Sequence, residues 1–236
     1  MHLEFYKKPK SPIVVEGFPG FGLVGTIVTE YLLDHLSCEK IGSAYFEDLP
    51  STIAIHRGKV MDPVALYYNK KYNLVIVHSV AAVVGAEWQA ADVVAEVCKK
   101  LGAKQLISLE GVGSPPGVEP QGRTFYYTTN PKMEPLLKKA GMGPLGEGII
   151  IGVTAAALLK VKVPMSCIFA EVSGNLPDSK AAAAVIKVLD SLFGLNVDPK
   201  PLVKKAEEFE AKLRSLLEQA QTAQETVDKK QLSYVG

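Results

Sequence analysis

Two groups of residues in this chain could do chemistry: polar side chains at the ends of apolar runs, and a run of glycines. His78 closes the run Leu74 to Ser79, beside a serine. Among His2, His35, His56 and His78 it is the one placed where a general base could face a crevice. Glu87, Glu110 and Glu171 fall at or near similar junctions. A catalytic set needs a nucleophile, a base and an orienting group brought together. No nucleophile elbow or triad spacing joins these residues, so no catalytic residue is assigned. They read as caps of helices and partners of loop backbone.

The glycines lie in "VVEGFPGFGLVG", Val14 to Gly25, whose end Gly20-Phe21-Gly22-Leu23-Val24-Gly25 fits G-x-G-x-x-G. After a strand and before a helix, that pattern cradles a pyrophosphate on the helix N-terminus. The acidic residue expected about 20 positions on would fall near Glu39, ahead of the second strand, and Glu47 and Asp48 come later. Pro19, Phe18 and Phe21 make the loop bulky. Gly17, Gly20, Gly22 and Gly25 are therefore read as structural, serving a tight turn and close packing of helix on strand. The competing reading is an enzyme that binds a nucleotide or phosphate through this loop and the loop Glu110 to Gly122.

No His or Cys pair has metal-ligand spacing, so neither a metal nor another cofactor is expected. Cys38, Cys98 and Cys167 are dispersed, as reduced, buried thiols would be.

The chain has 236 residues, enough for one large domain or a domain with an appendage. Lys and Arg number 26 against 25 Asp and Glu, a balance that argues against a nucleic-acid partner. The longest apolar run, "GIIIGVTAAALL" from Gly148 to Leu159, falls short of the ~20 residues of a membrane span. No signal-peptide pattern opens the sequence. These features predict a cytoplasmic protein that does not act at a membrane.

The elements that position these residues alternate. Buried strands are expected at Ile13 to Phe18, "KIGSAYF", "NLVIVHS", "KQLISLEG", "TFYYTT", "GIII" and "MSCIFAEV", with hairpins around "HRG" and between "PVALYY" and "NLVIVHS". Helical spacing covers Leu23 to Leu36, Glu87 to Leu101 and Asp178 to Phe193, with shorter helices ending at Ala140 and preceding "MSCIFAEV". This order predicts an α/β fold with a mostly parallel central sheet. Its glycine-containing β-to-α loops gather at the carboxyl ends of the strands.

A core of residues 1–196 is followed by a distinct segment, 197–236. After "NVDPKP", Leu202, Ala206, Phe209, Leu213, Leu216, Ala220, Ala223 and Val227 alternate at spacings of 4 and 3. That is a heptad seam and predicts a long C-terminal helix. Leu202, Phe209, Leu213 and Leu216 pack either on the helix's own domain or on another helix, within or between subunits. Beyond Lys229-Lys230 the last residues read as a flexible, tyrosine-bearing tail.

With "GFPGFGLVG", "TTNPKMEPLLKKAGMGPLGEGIIIG" (Thr128 to Gly152) and "AEVSGNLPDSKAAAAV" (Ala170 to Val185) in this order, the chain resembles the archaeal proteasome-assembly-chaperone family over about residues 10 to 230. The resemblance implies a three-layer, phosphorylase-like α/β core without enzymatic groups and a homo-oligomer. It also implies a non-enzymatic role as assembly chaperone or ATP-independent activator of the 20S proteasome. Partner binding would then involve Leu232, Tyr234, Val235 and Gly236, docking between proteasome α-subunits. The family's tail signature is hydrophobic-Tyr-any residue; here Tyr234 stands third from the end and follows Ser233.

Overall fold

Apolar runs without polar alternation need cover on both faces, and the central strands of this chain are covered on both. The computed structural model describes residues 1–47, 54–56, 58–80, 83–114, 120–172, 174 and 176–204. Among these, nine strands form one sheet. They are β1 (His2–Phe5), β2 (Ile13–Gly17), β3 (Glu39–Tyr45), β6 (Val64–Asn69), β7 (Leu74–Ser79), β8 (Gln105–Gly113), β9 (Thr124–Thr128), β10 (Gly143–Pro144) and β11 (Met165–Val172). Their order is β1-β3-β6-β7-β2-β8-β11-β9-β10, and β4 (Ala54–His56) and β5 (Lys59–Met61) form a separate hairpin.

The sheet is mixed rather than mostly parallel. β7, β2, β8 and β11 run parallel at its centre, whereas β1, β3, β6 and β7 pair antiparallel, as do β9 and β11. The reason is the connections. Only strands joined through a crossover can lie parallel as neighbours, and β6 reaches β7 through the short turn around Lys70–Asn73.

Helices α1 (Val24–His35), α3 (Glu134–Lys139) and α5 (Ser179–Phe193) cover one face, and α2 (Glu87–Leu101) and α4 (Val153–Lys160) the other. Each central strand divides its residues between the two faces with period two. Val14, Val77, Leu106 and Cys167 meet Val93, Val94, Val97 and Ala157 on the α2/α4 side. Val15, Ile76, Ile107 and Ile168 meet Val28, Leu32, Val185 and Ile186 on the α1/α5 side. Each such fully buried Val, Leu or Ile contributes roughly 1.5–3 kcal/mol, and the result is three layers.

The helix ends follow the sequence signals. Asp178 Oδ1 accepts the Ala181 N–H at 2.8 Å to cap α5. Gly102 and Gly194 close α2 and α5 at φ 57° and φ 60°. One expected strand is absent. "GIII" pairs with no neighbour; Ile149 is 89% exposed, and Gly152 at φ 89° leads directly into α4. No helix among the described residues is long and apolar enough to cross a membrane.

Candidate functional site

Because β7, β2, β8 and β11 are parallel, the loops that follow them meet at one end of the sheet. Thr26 Oγ1 donates to Ser79 O at 3.3 Å, Gly22 N–H to Gly174 O at 3.1 Å, and Asp178 N–H to Gly22 O at 2.9 Å. The glycine loop is the hub of these contacts.

Its glycines have different reasons to be glycine. A β-carbon on Gly17 would lie 2.2 Å from Gly25 O, and one on Gly25 2.7 Å from Leu109 O. This pair seats α1 directly on β2 and β8. Gly22 has φ 62° and faces the Val172 side chain. Gly20 leaves room for a functional group instead, since its β-carbon would lie 2.0 Å from Glu110 Oε1.

A phosphate cradle needs loop N–H groups that are free to donate. Here the N–H of Phe21 serves the Glu110 carboxyl. That of Gly22 goes to Gly174 O, that of Leu23 to Gly20 O at 3.0 Å, and that of Val24 to Phe21 O. Two of these four donors are spent within the turn and two on its neighbours, one of them a buried carboxyl.

That carboxyl belongs to a buried polar line on the α2/α4 face. Glu16 on β2 stands opposite Ser108 on β8 and accepts a short hydrogen bond from its hydroxyl. Ser108 Oγ lies 2.8 Å from Thr154 Oγ1 on the first turn of α4, and Thr154 Oγ1 lies 3.4 Å from Glu110 Oε2. Glu110 Oε1 accepts the Gly111 N–H at 3.0 Å. Glu16, Ser108, Thr154 and Glu110 are all buried. Burial raises the Glu16 carboxyl to about 7, against the lowering effect of the Ser108 and Phe18 donors. Burial raises Glu110 to about 8, with the nearby Glu16 adding to the rise.

The other junction residues are scattered. His78 points to the α1 face, where Nδ1 lies 2.8 Å from Thr29 Oγ1, and burial lowers its pKa to about 4. The Thr29 hydroxyl has Gly25 O at 2.9 Å and Thr26 O at 3.1 Å as acceptors. His78 therefore tethers α1 to β7 as a neutral imidazole. Glu87 opens α2 and accepts the Gly85 N–H at 3.1 Å. Glu171 is held by Arg123, with Nη2 at 2.5 Å and Nε at 3.1 Å, and by the Gln121 N–H at 2.9 Å. The Arg123 hydrogen bond holds its carboxyl down at about 2.

Glu16, Ser108 and Thr154 were not singled out by the sequence. A lone acid inside "IVVEGF" was the available signal, because an ionisable group in a buried strand demands a partner. Among the described residues no group of three or more His, Cys, Asp or Glu could hold a metal ion. Cys98 and Cys167 are buried and free, and Cys38 is half-buried.

The last described residues are anchored at the opposite pole. Tyr72 Oη donates to Leu195 O at 3.0 Å and Tyr31 Oη to Asp198 O at 2.8 Å. Residues 200–204 are helical, and Leu202 packs on the α1/α5-side core. Phe209, Leu213, Leu216, Leu232, Tyr234, Val235 and Gly236 lie outside the described residues.

Three layers around a mixed sheet define an α/β scaffold, and Phe21, Gly22, Leu23 and Val24 of its glycine turn donate within the protein. The chain belongs to the PAC2 family, whose sequence profile matches residues 14–217. It is 29% identical over 229 residues to the uncharacterized protein MJ0106 of Methanocaldococcus jannaschii, covering 92% of each. Among solved structures it is similar to Pyrococcus furiosus PbaA, described as an archaeal homolog of proteasome-assembly chaperone. That match has 27% identity and a TM-score of 0.82, covering 97% of both chains. Pyrococcus furiosus PbaB, described as an archaeal proteasome activator, shares the fold at 22% identity and a TM-score of 0.75, over 91% of this chain and 98% of that one.

Proposed function

We propose that this protein is a non-enzymatic proteasome assembly chaperone homologue or ATP-independent activator of the 20S proteasome. It works in the cytoplasm as a homo-oligomer and engages α-subunits of the 20S ring through C-terminal tails carrying Leu232, Tyr234, Val235 and Gly236. The observation that carries this reading is the likeness to PbaA over 97% of both chains at 27% identity.

Three features of the molecule support it. The glycine turn has its donors engaged internally, which favours a structural role over phosphate binding within a phosphorylase-like core. The carboxyl pole also exposes Val84, Ile149, Ile151 and Leu176, at 81%, 89%, 63% and 72%, and exposed apolar groups of this kind suit protein contact. The anchored Leu195–Leu202 segment gives the tail a fixed point of departure, and several copies on one oligomer would bind by effective concentration.

The test is capture of 20S α-rings by the full chain and by a chain stopped at Lys230. Capture lost on truncation is the expected result. Absence of capture by the full chain, or equal capture by both, overturns tail docking.

A further inference from the structure

The buried line Glu16–Ser108–Thr154–Glu110 has three contacts and two hydroxyl hydrogens to fill them. Ser108 and Thr154 carry one hydroxyl hydrogen each, and three contacts join the four side chains. Ser108 gives its hydrogen to Glu16. Thr154 can then fill either the 2.8 Å contact with Ser108 or the 3.4 Å contact with Glu110, but not both. A hydrogen on Glu110 completes the set, with Glu110 donating to Thr154, Thr154 to Ser108 and Ser108 to an ionised Glu16. Reversing the two hydroxyls moves the same proton to Glu16. The two carboxyls share it and titrate as a pair.

The line also ties together three separate parts of the carboxyl pole. Glu110 Oε1 sits against Gly20 of the turn, and its carboxyl accepts the Phe21 N–H. Its Oε2 side faces Gly152 and Thr154, where α4 begins. Glu16 is fixed in β2 immediately before the turn.

We propose that this line is a proton latch: one shared proton clamps the glycine turn and the start of α4 onto the end of the sheet, and its loss to water in alkali releases them. With both carboxyls ionised, two negative charges face each other in an apolar layer while one hydroxyl contact lacks a hydrogen. Movement of Gly20 away from Glu110 admits water and relieves both. Among the described residues, the titratable groups facing the line are the thiols of Cys98 on α2 and Cys167 on β11, both pushed upward by burial, with Glu16 adding to both and Glu110 to Cys167. α4 contributes the hydroxyl of Thr154, and the turn contributes backbone. The latch would thereby couple the loops bearing Phe21, Ile149 and Ile151 to proton concentration.

The test is hydrogen exchange of the full-length protein, normalised to intrinsic rates and read on peptides spanning Pro19 to Thr26. Infrared spectra of glutamate-13C-carboxyl protein are recorded over the same range. Protection is expected to hold up to about pH 7, then fall by up to about tenfold per pH unit as the buried carboxyl band disappears. Glu110→Gln keeps a donor toward Thr154 and lets no second negative charge form beside Glu16, so its protection should not fall in alkali. Wild-type protection that ignores pH, or no protonated buried carboxyl at about pH 7, overturns the latch. So does a Glu110→Gln variant that loses protection in alkali as the wild type does. Should Glu110→Gln not fold, the two wild-type measurements decide the matter alone.

Discussion

Glu110 and Gly20 are fitted to one another: a β-carbon at Gly20 would stand 2.0 Å from Glu110 Oε1 and 2.7 Å from its carboxyl carbon. The carboxyl cannot simply swing away, because Gly111, Phe21 and Thr154 hold it. Gly20→Ala should therefore destabilise the fold by about 1–3 kcal/mol through overpacking. In a Glu110→Ala background the same substitution should cost almost nothing, giving a coupling of at least about 1 kcal/mol in a denaturant double-mutant cycle. Additive costs would show that the two residues are not in contact.

Glycines with positive φ are not the most constrained ones here. Gly102 has φ 57° with nothing within 4 Å of an added β-carbon, whereas Gly25 would meet Leu109 O at 2.7 Å and Gly17 Cα at 2.9 Å. Gly102→Ala should cost roughly 1–2 kcal/mol, the left-handed penalty. At Gly25 the obstacle is backbone, so α1 must lift from β2 and β8. Gly25→Ala should exceed about 3 kcal/mol or abolish folding. Thermal denaturation of the two variants gives the order directly, and the reverse order would refute the close-approach reading.

Periodicity located most of the framework because burial writes it: α1, α2 and α5 each carry an apolar stripe, and β2, β7, β8 and β11 are largely apolar runs. β1 and β10 left no such trace. "HLEF" is a short edge strand that leans on β3, and Gly143–Pro144 pairs over two residues. "GIII" misled because four apolar residues look like a strand whether or not an edge is available to pair them. The site was half legible. Glycine spacing marked the turn, but which glycine faces backbone and which faces Glu110 depends on the register of β2 against β8. Thr154 enters the site only because Gly152 turns the chain into α4.

The clasp between Arg123 and Glu171 gives the molecule an acid-sensitive strut. Arg123 and the Gln121 N–H hold the Glu171 carboxyl down to about 2 from its ordinary 4.5. A carboxyl with a lowered folded-state pKa contributes stability that is complete above its unfolded value and is lost as pH falls toward the folded one. Stability should thus decline between about pH 4.5 and about pH 2 partly through this group. Arg123→Gln removes the largest cause of the lowering, so the difference in stability between wild type and variant should be largest near neutral pH and shrink as pH falls through that window. Urea midpoints at four or five pH values measure it. A pH-independent difference would mean that Arg123 acts by packing over Phe125.

Two tyrosine hydroxyls, from α1 and from the β6–β7 turn, fix the root of the C-terminal segment by donating to carbonyls of Asp198 and Leu195. Neutral hydrogen bonds of this kind contribute about 0.5–1.5 kcal/mol each, and both are made to the segment after α5 rather than within the sheet or a helix. The double substitution Tyr31→Phe, Tyr72→Phe should therefore leave global stability within about 3 kcal/mol of wild type. Local opening of residues 194–204 should become several times more frequent. Limited proteolysis mapped by mass spectrometry would register faster cleavage there, with the glycine turn at the other pole unchanged. If cleavage stays at the wild-type rate, Leu202 and its apolar neighbours hold the root unaided, and the tail leaves from a hydrophobic anchor rather than a hydrogen-bonded one.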